Sequence, residues 1–564
     1  MNWRPGGVDQ VSDEPPGGLA QQPRGRVTAA REVGRAALLI GGLTVFARVL
    51  GFVRTLVFAG TVKTSCLSAA YVTANQVPNV VYDIVLGGAL TAIVVPVLAG
   101  AADASGTDQD ARSEVSAISS ALLTWTVVIL VPISLALALA SGPVISALMP
   151  ANPRSGCAGA SLAPIAARML VVFAPQILLY GLAVVCYGLL QAHRKFTAPA
   201  LAPILSTVVV IIAYRLFVPL GHQHTTHVTG LSSAAELTLS AGTTLGVAAL
   251  VLTAIGPVWR LRLRLRPTLR FPEGVAKRAR SLAGVGVAAL IAQDASVLVV
   301  TRLANARGGS NGSAVAVYSY GWQVFVSVYA VLAIPVAISA FPVLSARKGA
   351  EFDEAAASAT RATALASCLG AALLAGVAVP VARAFPSLTG PVISQFGRAL
   401  VAFAPGLIGF GLTACLSRVL LADSRNRAAM IAMVTGWLVV IGVDVVVVPL
   451  VPATAVVPVF GLANTVGMTA SGIALLVAVY RTRGVAALDG CGRAIGAGLA
   501  GAVAGAATGL GLTTAVPASG HWLNAGLALA AGICVVVSFC IVVVLLDGGD
   551  LRSLLARVRR RAMP

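Results

Sequence analysis

The amino-acid sequence predicts an all-α integral membrane protein with about fourteen transmembrane helices, arranged as two six-helix lobes and a C-terminal helix pair. Three observations lead to this prediction. Of the 564 residues, 57% are hydrophobic and only 11% are charged, whereas soluble domains carry about 25% charged residues. The basic residues are concentrated in alternate loops between the apolar runs, and two long stretches of the sequence resemble each other at a fixed offset.

Apolar runs that are long enough to cross a bilayer recur along the whole chain. A helical span needs about 20 predominantly apolar residues. No stretch of the sequence alternates like a barrel strand, so helices are the expected spanning elements. The predicted spans are 36–60, 68–101, 116–141, 161–191, 196–218, 235–257, 281–303, 315–345, 363–382, 399–421, 428–451, 458–480, 494–513 and 522–546.

The positions of Lys and Arg predict the topology. If the N-terminus is inside, the cytoplasmic segments hold 29 of the 40 basic residues and the external loops hold four, the others lying in or beside spans. Such an excess marks cytoplasmic loops, so both termini are expected in the cytoplasm. The net charge of +20 therefore reflects topology. No nucleic-acid-binding motif accompanies it, and we expect no nucleic-acid partner.

An internal repeat supports the division into two lobes. The segment "VVFAPQILLYGLAVVCYGLLQAHRKFTA", which begins at Val171, matches "VAFAPGLIGFGLTACLSRVLLADSRNRA", which begins at Val401, without a gap. A weaker pair is formed by residues 94–100 and 340–346. Both members of each pair cross the membrane in the same direction, which predicts two bundles related by an axis along the membrane normal, as in transporters with a central cavity.

The spans and the repeat together define the expected organisation of the chain. Gly501, Gly505 and Gly509 recur every four residues in span 13, which predicts close helix packing there. The predicted regions are a disordered cytoplasmic N-terminal tail (1–33), an N-lobe (34–257), a basic cytoplasmic linker (258–280), a C-lobe (281–480), spans 13 and 14 (481–546) and a basic cytoplasmic tail (547–564).

The cysteine and histidine residues show no metal-site spacing. A disulfide between Cys66 and Cys157 requires both residues to lie in external loops, and we do not expect it to form. The cluster "HQHTTH", residues 222–227, lies in an external loop, and we expect it to be solvated rather than to bind a metal.

Two arginines lie at membrane depth in the stretch "ARVLGFVR" of span 1. An Arg at the bilayer centre costs about 3 kcal/mol or more. Arg48 and Arg54 are six residues apart, about 9 Å of helical rise and about 120° in direction. We predict that both border one wide central cavity. The alternatives are that Arg54 reaches back to the membrane interface or pairs with Asp83.

Span 2 carries a polar series, Asn75, Asn79 and Asp83. An intramembrane carboxylate usually has a basic partner, so we expect Asp83 to pair with an arginine of span 1. The alternative for Asn79 is structural, because its side chain can cap the backbone groups that Pro78 leaves without partners.

Four polar residues in the second half of the chain predict a cation site. Asp294 in span 7 and Asp444 in span 11 are isolated acids in apolar runs, and Asn464 and Thr465 lie in span 12. Carboxylate, amide and hydroxyl oxygens together make a site for a hard cation. The alternative is a buried, hydrogen-bonded aspartate, with Arg302 as the partner of Asp294.

Several stretches in order along the membrane part resemble a known family. They are "ARVLGFVR" (47–54), "ANQVPNVVYDIVLGGALTAIVVPVLAG" (74–100), "YGLLQAHRKFTAPALAPIL" (187–205), "YSYGWQVFVSVYAVLAIPVAISAFPVLSA" (318–346) and "ALVAFAPGLIGFGL" (399–412). Together they resemble the MurJ (MviN) lipid II flippases of the multidrug/oligosaccharidyl-lipid/polysaccharide exporter superfamily, in their actinobacterial form. The resemblance implies fourteen helices, with the last pair forming a groove for a lipid tail.

The resemblance also implies a function and a set of site residues. A flippase moves lipid II from the inner to the outer leaflet of the cytoplasmic membrane by alternating access, for cell-wall biosynthesis, without catalytic residues or a metal. The residues implied as substrate-binding are Arg48, Arg54, Asn75, Asn79, Asp83 and Gln323. Gln323 stands where many members carry arginine, Ala69 where the family often has an acid, and Gln76, Tyr82 and Asp83 where basic residues are common.

The resemblance further implies the partners and the energy source. The partners are lipid II and membrane lipids, with cell-wall synthesis proteins as further candidates. Coupling to Na⁺, to H⁺ or to the membrane potential is expected, because related flippases have a sodium site on the corresponding helices. Two alternatives remain within the superfamily: a flippase for another polyprenyl-diphosphate-linked glycan and a small-molecule exporter. A membrane enzyme is disfavoured, because the acids are scattered and the longest loops have only about 20 residues.

Overall fold

The computed structural model contains helices and connecting segments, and no strands, in the part of the chain that it describes. The described residues are 42–43, 46–84, 109–150, 159–193, 195–221, 224–225, 228, 230–270, 275–308, 314–386, 388–516 and 519–562. The helices of the N-lobe are α1 (46–61), α2 (Cys66–Tyr82), α3 (Gln109–Leu139), α4 (Ser141–Leu148), α5 (Gly159–Phe173), α6 (Gln176–Ala192), α7 (Thr197–Gly221) and α8 (Ser233–Trp259).

The second half of the chain repeats this arrangement and adds a terminal pair. The helices of the C-lobe are α9 (Val275–Arg307), α10 (Ala314–Ala346), α11 (Gly349–Gly376), α12 (Ala378–Ala384), α13 (Pro391–Phe403), α14 (Gly406–Ala422), α15 (Asn426–Val447) and α16 (Val456–Arg483). The terminal pair is α17 (Cys491–Ala515) and α18 (His521–Ala562), which kinks at Asp547.

The structure confirms the all-α membrane fold. Within the described residues, eleven helical segments, and a twelfth if α13 and α14 form one span bent by 40°, are long and apolar enough to cross a membrane. They coincide with predicted spans 3 to 14. Predicted spans 1 and 2 lie partly outside the described residues, where α1 and α2 are their visible parts, so the number fourteen stays a prediction.

The internal repeat is visible as two identically placed helix breaks. Proline lacks the N–H group that would continue a helix, and in both lobes the break falls at Phe-Ala-Pro, residues 173–175 and 403–405. The preceding helices end at Phe173 and Phe403, and the following helices begin at Gln176 and Gly406. The repeat therefore describes backbone geometry as well as sequence.

At each break, a threonine from a neighbouring helix forms hydrogen bonds with backbone groups. The Thr244 hydroxyl on α8 donates to the Val172 carbonyl at 2.9 Å, and the Thr465 hydroxyl on α16 donates to the Ala402 carbonyl at 2.6 Å. Thr465 also accepts the Gly406 N–H at 3.0 Å. Backbone groups at membrane depth need such partners, because lipid supplies none.

The terminal pair packs on α11 of the C-lobe through small residues. A Cβ on Gly509 would lie 2.8 Å from the Cα of Gly376 on α11, and one on Gly505 would lie 3.2 Å from the Val535 carbonyl on α18. Gly501 faces Phe539 with equally little space. The close packing predicted from the glycine spacing is confirmed.

The two lobes share a hydrophobic core at one end of the bundle. This core contains residues of both lobes, among them Phe58, Phe173 and Leu239 of the N-lobe and Tyr320 and Phe385 of the C-lobe. We call this the closed end; it carries the α1–α2, α3–α5, α9–α10 and α15–α16 connections. The other apolar clusters of the described residues each lie within the N-lobe, or within the C-lobe and the terminal pair. We call the opposite end the open end.

Cys66 begins α2 at the closed end and corrects one expectation. The helix starts with a capping box in which Ser65 and Ser68 satisfy each other's backbone N–H groups. Cys66 is disulfide-bonded, so the expectation that it would not form a disulfide is wrong. Cys157, the partner that the sequence suggested, lies outside the described residues, as do His222 and His227 of the histidine cluster.

Candidate functional site

Arg54 lies on α1 beside a group of tyrosines. Its side chain is half-buried and within electrostatic range of the hydroxyl groups of Tyr71, Tyr180 and Tyr214. The Tyr71 hydroxyl is 2.9 Å from that of Tyr214 and 2.6 Å from the Thr243 hydroxyl. These contacts bring α1, α2, α6, α7 and α8 together around one guanidinium group.

Tyr180 connects this group to the polar series on α2. Its hydroxyl donates to Asn79 Oδ1 at 3.4 Å, and its ring centroid lies 4.4 Å from that of Tyr82. The Asn79 side chain therefore contacts α6 rather than capping the backbone near Pro78. We call Arg54, Tyr71, Asn79, Tyr180 and Tyr214 the tyrosine cluster.

The three polar residues of α2 lie on one helix face. Asn75, Asn79 and Asp83 are four residues apart, which places them one above the other on an α-helix, and all three are half-buried. The Asn75 Oδ1 atom is buried without a hydrogen-bond partner among the described residues. An amide oxygen in that condition is available to a ligand.

Asp83 faces the C-lobe rather than an arginine of α1. Among the described residues, it forms no ion pair with Arg48 or Arg54, so the expected pairing is not what the structure shows. Instead, Asp83 lies within electrostatic range of Asp294 on α9. Asp83 on the polar face of α2 and the buried Asp294, which is 2% exposed, are therefore close enough to interact electrostatically.

Two predicted substrate-binding residues lie away from the tyrosine cluster. Arg48 is exposed and precedes Arg54 by about 9 Å along α1, nearer the open end. Gln323 is half-buried on α10, and its amide donates to the Ser327 hydroxyl at 3.3 Å. Both belong to helices that border the space between the lobes, but neither has a contact with the cluster in the part of the chain that the structure describes.

Three of the four predicted cation ligands have buried oxygens without hydrogen-bond partners among the described residues, and the fourth, Thr465, does not. Asp444 and Asn464 are 0% and 3% exposed, and the Asp444 carboxylate is within electrostatic range of the Tyr318 hydroxyl. The side-chain oxygens of Asp444, Oδ1 of Asn464 and Oδ2 of Asp294 are buried without hydrogen-bond partners among the described residues. Such oxygens fit a hard cation or a bound proton.

Thr465 and Arg302 have structural contacts of their own. The Thr465 hydroxyl is engaged at the helix break of the C-lobe, in the role that Thr244 has in the N-lobe. Arg302 donates to the Ala147 carbonyl of the N-lobe, so the alternative in which it pairs with Asp294 is wrong.

Hydrogen bonds that sequence reasoning missed join the lobes at the closed end. The Asn305 amide on α9 donates to the Thr73 hydroxyl on α2 at 2.9 Å and to the carbonyl of Leu148, the last residue of α4, at 3.1 Å. Arg302, one helical turn earlier, donates to Ala147 of the same N-lobe segment. No sequence pattern marks Asn305, because its partners lie more than 150 residues away.

Aromatic contacts accompany these hydrogen bonds. The Phe52 ring on α1 lies 6.1 Å from the Phe385 ring, and the Phe58 ring lies 6.4 Å from the Tyr320 ring, both in edge-on geometry. Each pair joins the N-lobe to the C-lobe. Packed rings and hydrogen bonds thus hold the lobes together at the closed end, and we call these contacts the gate. Arg54 and the α2 face lie half-buried on the side of the gate towards the open end.

Comparison with known proteins identifies the family. The family model described as "Lipid II flippase MurJ" matches residues 58–523, most of the chain and both lobes. The chain belongs to the lipid II flippase MurJ family. The MurJ family is one of multi-pass membrane transporters, which agrees with the two-lobe helical fold.

Two curated relatives match in part of their length. The lipid II flippase MurJ of Burkholderia cenocepacia is 28% identical over 185 residues, 33% of this chain and 34% of that protein. The probable lipid II flippase MurJ of Synechocystis sp. is 26% identical over 254 residues, 43% of this chain and 44% of that protein. The chain thus matches less than half the length of each of these MurJ relatives.

Solved structures share the fold. A structure of lipid II flippase MurJ in an inward closed conformation superposes with a TM-score of 0.70 at 16% identity, covering 92% of this chain and 100% of that one. An inward-facing multidrug resistance MATE family transporter of the MOP superfamily gives a TM-score of 0.60 at 16% identity, covering 78% and 96%. The MurJ-type arrangement of two lobes is therefore the fold of this chain.

Proposed function

We propose that this MurJ family member moves lipid II from the inner to the outer leaflet of the cytoplasmic membrane by alternating access, for cell-wall biosynthesis. The single observation that supports this most directly is the placement of Arg54. A half-buried cation lies on α1 of the N-lobe, beside hydroxyl and amide groups, and α1 also carries the Phe52 and Phe58 rings that contact the C-lobe. A lipid with a charged head and apolar tail needs such a site, and no covalent chemistry is required of the protein.

The orientation proposed from the basic residues makes this an inward-facing state. Both termini and the linker 258–280 lie in the cytoplasm, and the gate at the closed end faces outside. The space between the lobes then opens towards the leaflet in which lipid II is made. This orientation rests on the excess of Lys and Arg in the segments at the open end.

In this proposal, different polar side chains bind different parts of the substrate headgroup. Arg54 donates charge-assisted hydrogen bonds to the diphosphate, and its planar fork allows two parallel bonds to phosphate oxygens. Arg48, nearer the open end, meets the diphosphate as the lipid enters. Asn75, Asn79 and Gln323 offer amide groups to the sugars, which present both donors and acceptors. Desolvating the guanidinium is less costly in a half-buried, polar position than in lipid.

Asp83 and Asp294 connect transport to a cation in this proposal. The two carboxylates are within electrostatic range of each other across the lobes, and like charges in a partly buried site repel. A proton or Na⁺ held at Asp294 removes that repulsion and lets the lobes approach. Asp444 and Asn464, with buried oxygens that lack partners among the described residues, are the ligands proposed for a second cation on the C-lobe.

The coupling role predicts a selective defect. Asp294→Asn and Asp444→Asn should each weaken the dependence of transport on the ion gradient while leaving lipid binding largely intact, because each removes a charge that a cation would neutralise. Proteoliposomes with imposed Na⁺, H⁺ or potential gradients measure this. Asp489→Asn, an exposed acid between α16 and α17, is the control. Unchanged ion dependence in both variants contradicts the proposed site.

The substrate is tested by reconstitution. Purified protein in liposomes should flip fluorescent lipid II at least about tenfold faster than empty liposomes, since uncatalysed passage must bury a diphosphate in hydrocarbon. The comparison lipids are other polyprenyl-diphosphate-linked glycans, and the comparison solutes are cationic drugs. Faster flipping of another glycan identifies a diverged paralogue, which the glutamine at position 323 would favour. Drug export without lipid flipping contradicts the proposal.

A further inference from the structure

The linker between the lobes contains an arginine-rich segment that the transport site does not use. After α8, the chain turns at Arg262, whose φ of 52° is left-handed, and continues without helix through residues 263–270. We call residues 263–270 the strap. Its three arginines, Arg264, Arg266 and Arg270, and the two arginines of the turn, Arg260 and Arg262, are all exposed. None of the five forms an ion pair with a described residue.

The strap is held along α3 by a row of hydroxyl groups. Ser116 donates to the carbonyl of Arg264. Ser120 accepts the N–H of Arg266 at 3.0 Å, and Thr124 accepts the N–H of Thr268 at 3.1 Å. These hydroxyls are four residues apart on the helix, about 6 Å per step, which nearly matches the advance of two residues in an extended chain. The strap is therefore fixed in register and largely extended, with one tight turn in which the Leu265 N–H donates to the Leu263 carbonyl at 3.1 Å.

An extended backbone separates the strap into two faces. Alternate side chains point to opposite sides, so Arg264 and Arg266 share one side and Leu263 and Leu265 the other. Leu263 packs against the N-lobe cluster around Val115 and Leu189, whereas Leu265 is 41% exposed. The result is a basic edge beside an apolar edge.

Two tryptophans place the strap at the surface of the membrane. Trp259, just before the turn, is 84% exposed, and Trp125 donates from its indole nitrogen to the Leu269 carbonyl at 3.0 Å. Exposed tryptophans are typical of the membrane–water interface. The helix α3 has 31 residues, about 46 Å, against a hydrocarbon core of about 30 Å, so part of it projects beyond the core where the strap lies.

We propose that the strap binds the phosphate groups of anionic phospholipids in the leaflet at the open end. The exposed leucines enter the acyl boundary, and the arginines donate to headgroup phosphates, for which guanidinium geometry is suited. Because the strap belongs to the connection between the lobes, the bound lipids anchor that connection to the membrane surface. The inference depends on the interface geometry and holds whichever lipid the protein transports.

Native mass spectrometry of the purified full-length protein, titrated with phosphatidylglycerol or phosphatidylcholine, tests this. The triple variant Arg264→Gln, Arg266→Gln, Arg270→Gln should raise the apparent Kd for phosphatidylglycerol at least tenfold, since each basic group near an anionic surface contributes about fivefold. Binding of phosphatidylcholine should not change. The corresponding triple lysine variant should stay within about threefold of the wild type, because lysine keeps the charge.

A matched control removes the same charge elsewhere at the open end. Arg347, Lys348 and Arg481 are exposed and lie outside the strap, so if the strap is the binding site, their replacement by glutamine should leave the Kd within about threefold. An equal loss in this control, or unchanged phosphatidylglycerol binding in the strap variant, overturns the proposal. Loss of polyprenyl-diphosphate binding with phosphatidylglycerol binding intact also overturns it, because the strap then belongs to the transport path.

Discussion

Joining Thr73→Cys to Asn305→Cys with a short bifunctional thiol reagent should stop lipid transport, and reduction of the link should restore it. In the native protein the two side chains are 2.9 Å apart across the lobes at the closed end. Alternating access requires this end to separate once per cycle, so a covalent link should lower flipping in proteoliposomes to the rate of empty vesicles. This is the largest effect that we expect from any change in the protein.

Single-cysteine variants distinguish the effect of the cross-link from the effect of the substitutions. Thr73→Cys alone and Asn305→Cys alone, treated with the same reagent, retain the native cysteines but lack the second introduced thiol, and they should keep most of their activity. If the cross-linked double variant transports at the rate of these controls, the lobes do not separate at this end and the proposed inward-facing state is wrong. Labelling of the introduced cysteines by a membrane-impermeant thiol reagent added outside the cell also checks the proposed orientation.

Arg54→Ala should reduce lipid II flipping at least about tenfold, since a hydrogen bond to a charged group contributes about 1.5–3 kcal/mol. Arg54→Lys should retain part of the activity, because it keeps the charge but loses the planar fork. Arg48→Ala should also impair transport, through slower entry of the lipid. The measurements are the flipping rate in proteoliposomes and the growth of a depleted strain, each alongside the amount of protein in the membrane.

Arg215→Ala is the matched control for the arginine variants. Arg215 follows Tyr214 on α7, yet its side chain is exposed beside Leu216, which is 58% exposed, on the outside of the bundle. Its removal should change flipping less than twofold. Normal flipping by the Arg48→Ala, Arg54→Ala double variant at normal abundance would show that both arginines are structural.

Periodic and local signals in the sequence were enough for most of the fold. Apolar length located the spans, and the match between residues 171–198 and 401–428 indicated two equivalent lobes, although the helix break that both segments contain was not predicted. The glycine series in α17 correctly indicated close packing. These features are readable because each depends on chain neighbours or on the uniform demands of a lipid environment.

The site was only partly readable, because its residues meet through distant contacts. Arg54 and Asn79 stood out as polar residues in apolar runs, but Tyr71, Tyr180 and Tyr214 did not, since a tyrosine in a span is unremarkable until its hydroxyl finds a partner. The partner of Arg302 was misjudged for the same reason. An arginine side chain can reach many backbone carbonyl groups, and only packing decides which one is near.

The two helix breaks have a mechanical consequence. Each break is fixed by a threonine hydrogen bond from a neighbouring helix, at Thr244 and Thr465, so these bends do not act as joints. Each lobe then moves as one stiff body, so the gate at the closed end has to open by rotation of whole lobes and not by bending within a lobe. A stiff body carries a rotation to both of its ends, so separation of Phe58 and Asn305 from their partners across the gate is accompanied by approach of the two lobes at the opposite mouth.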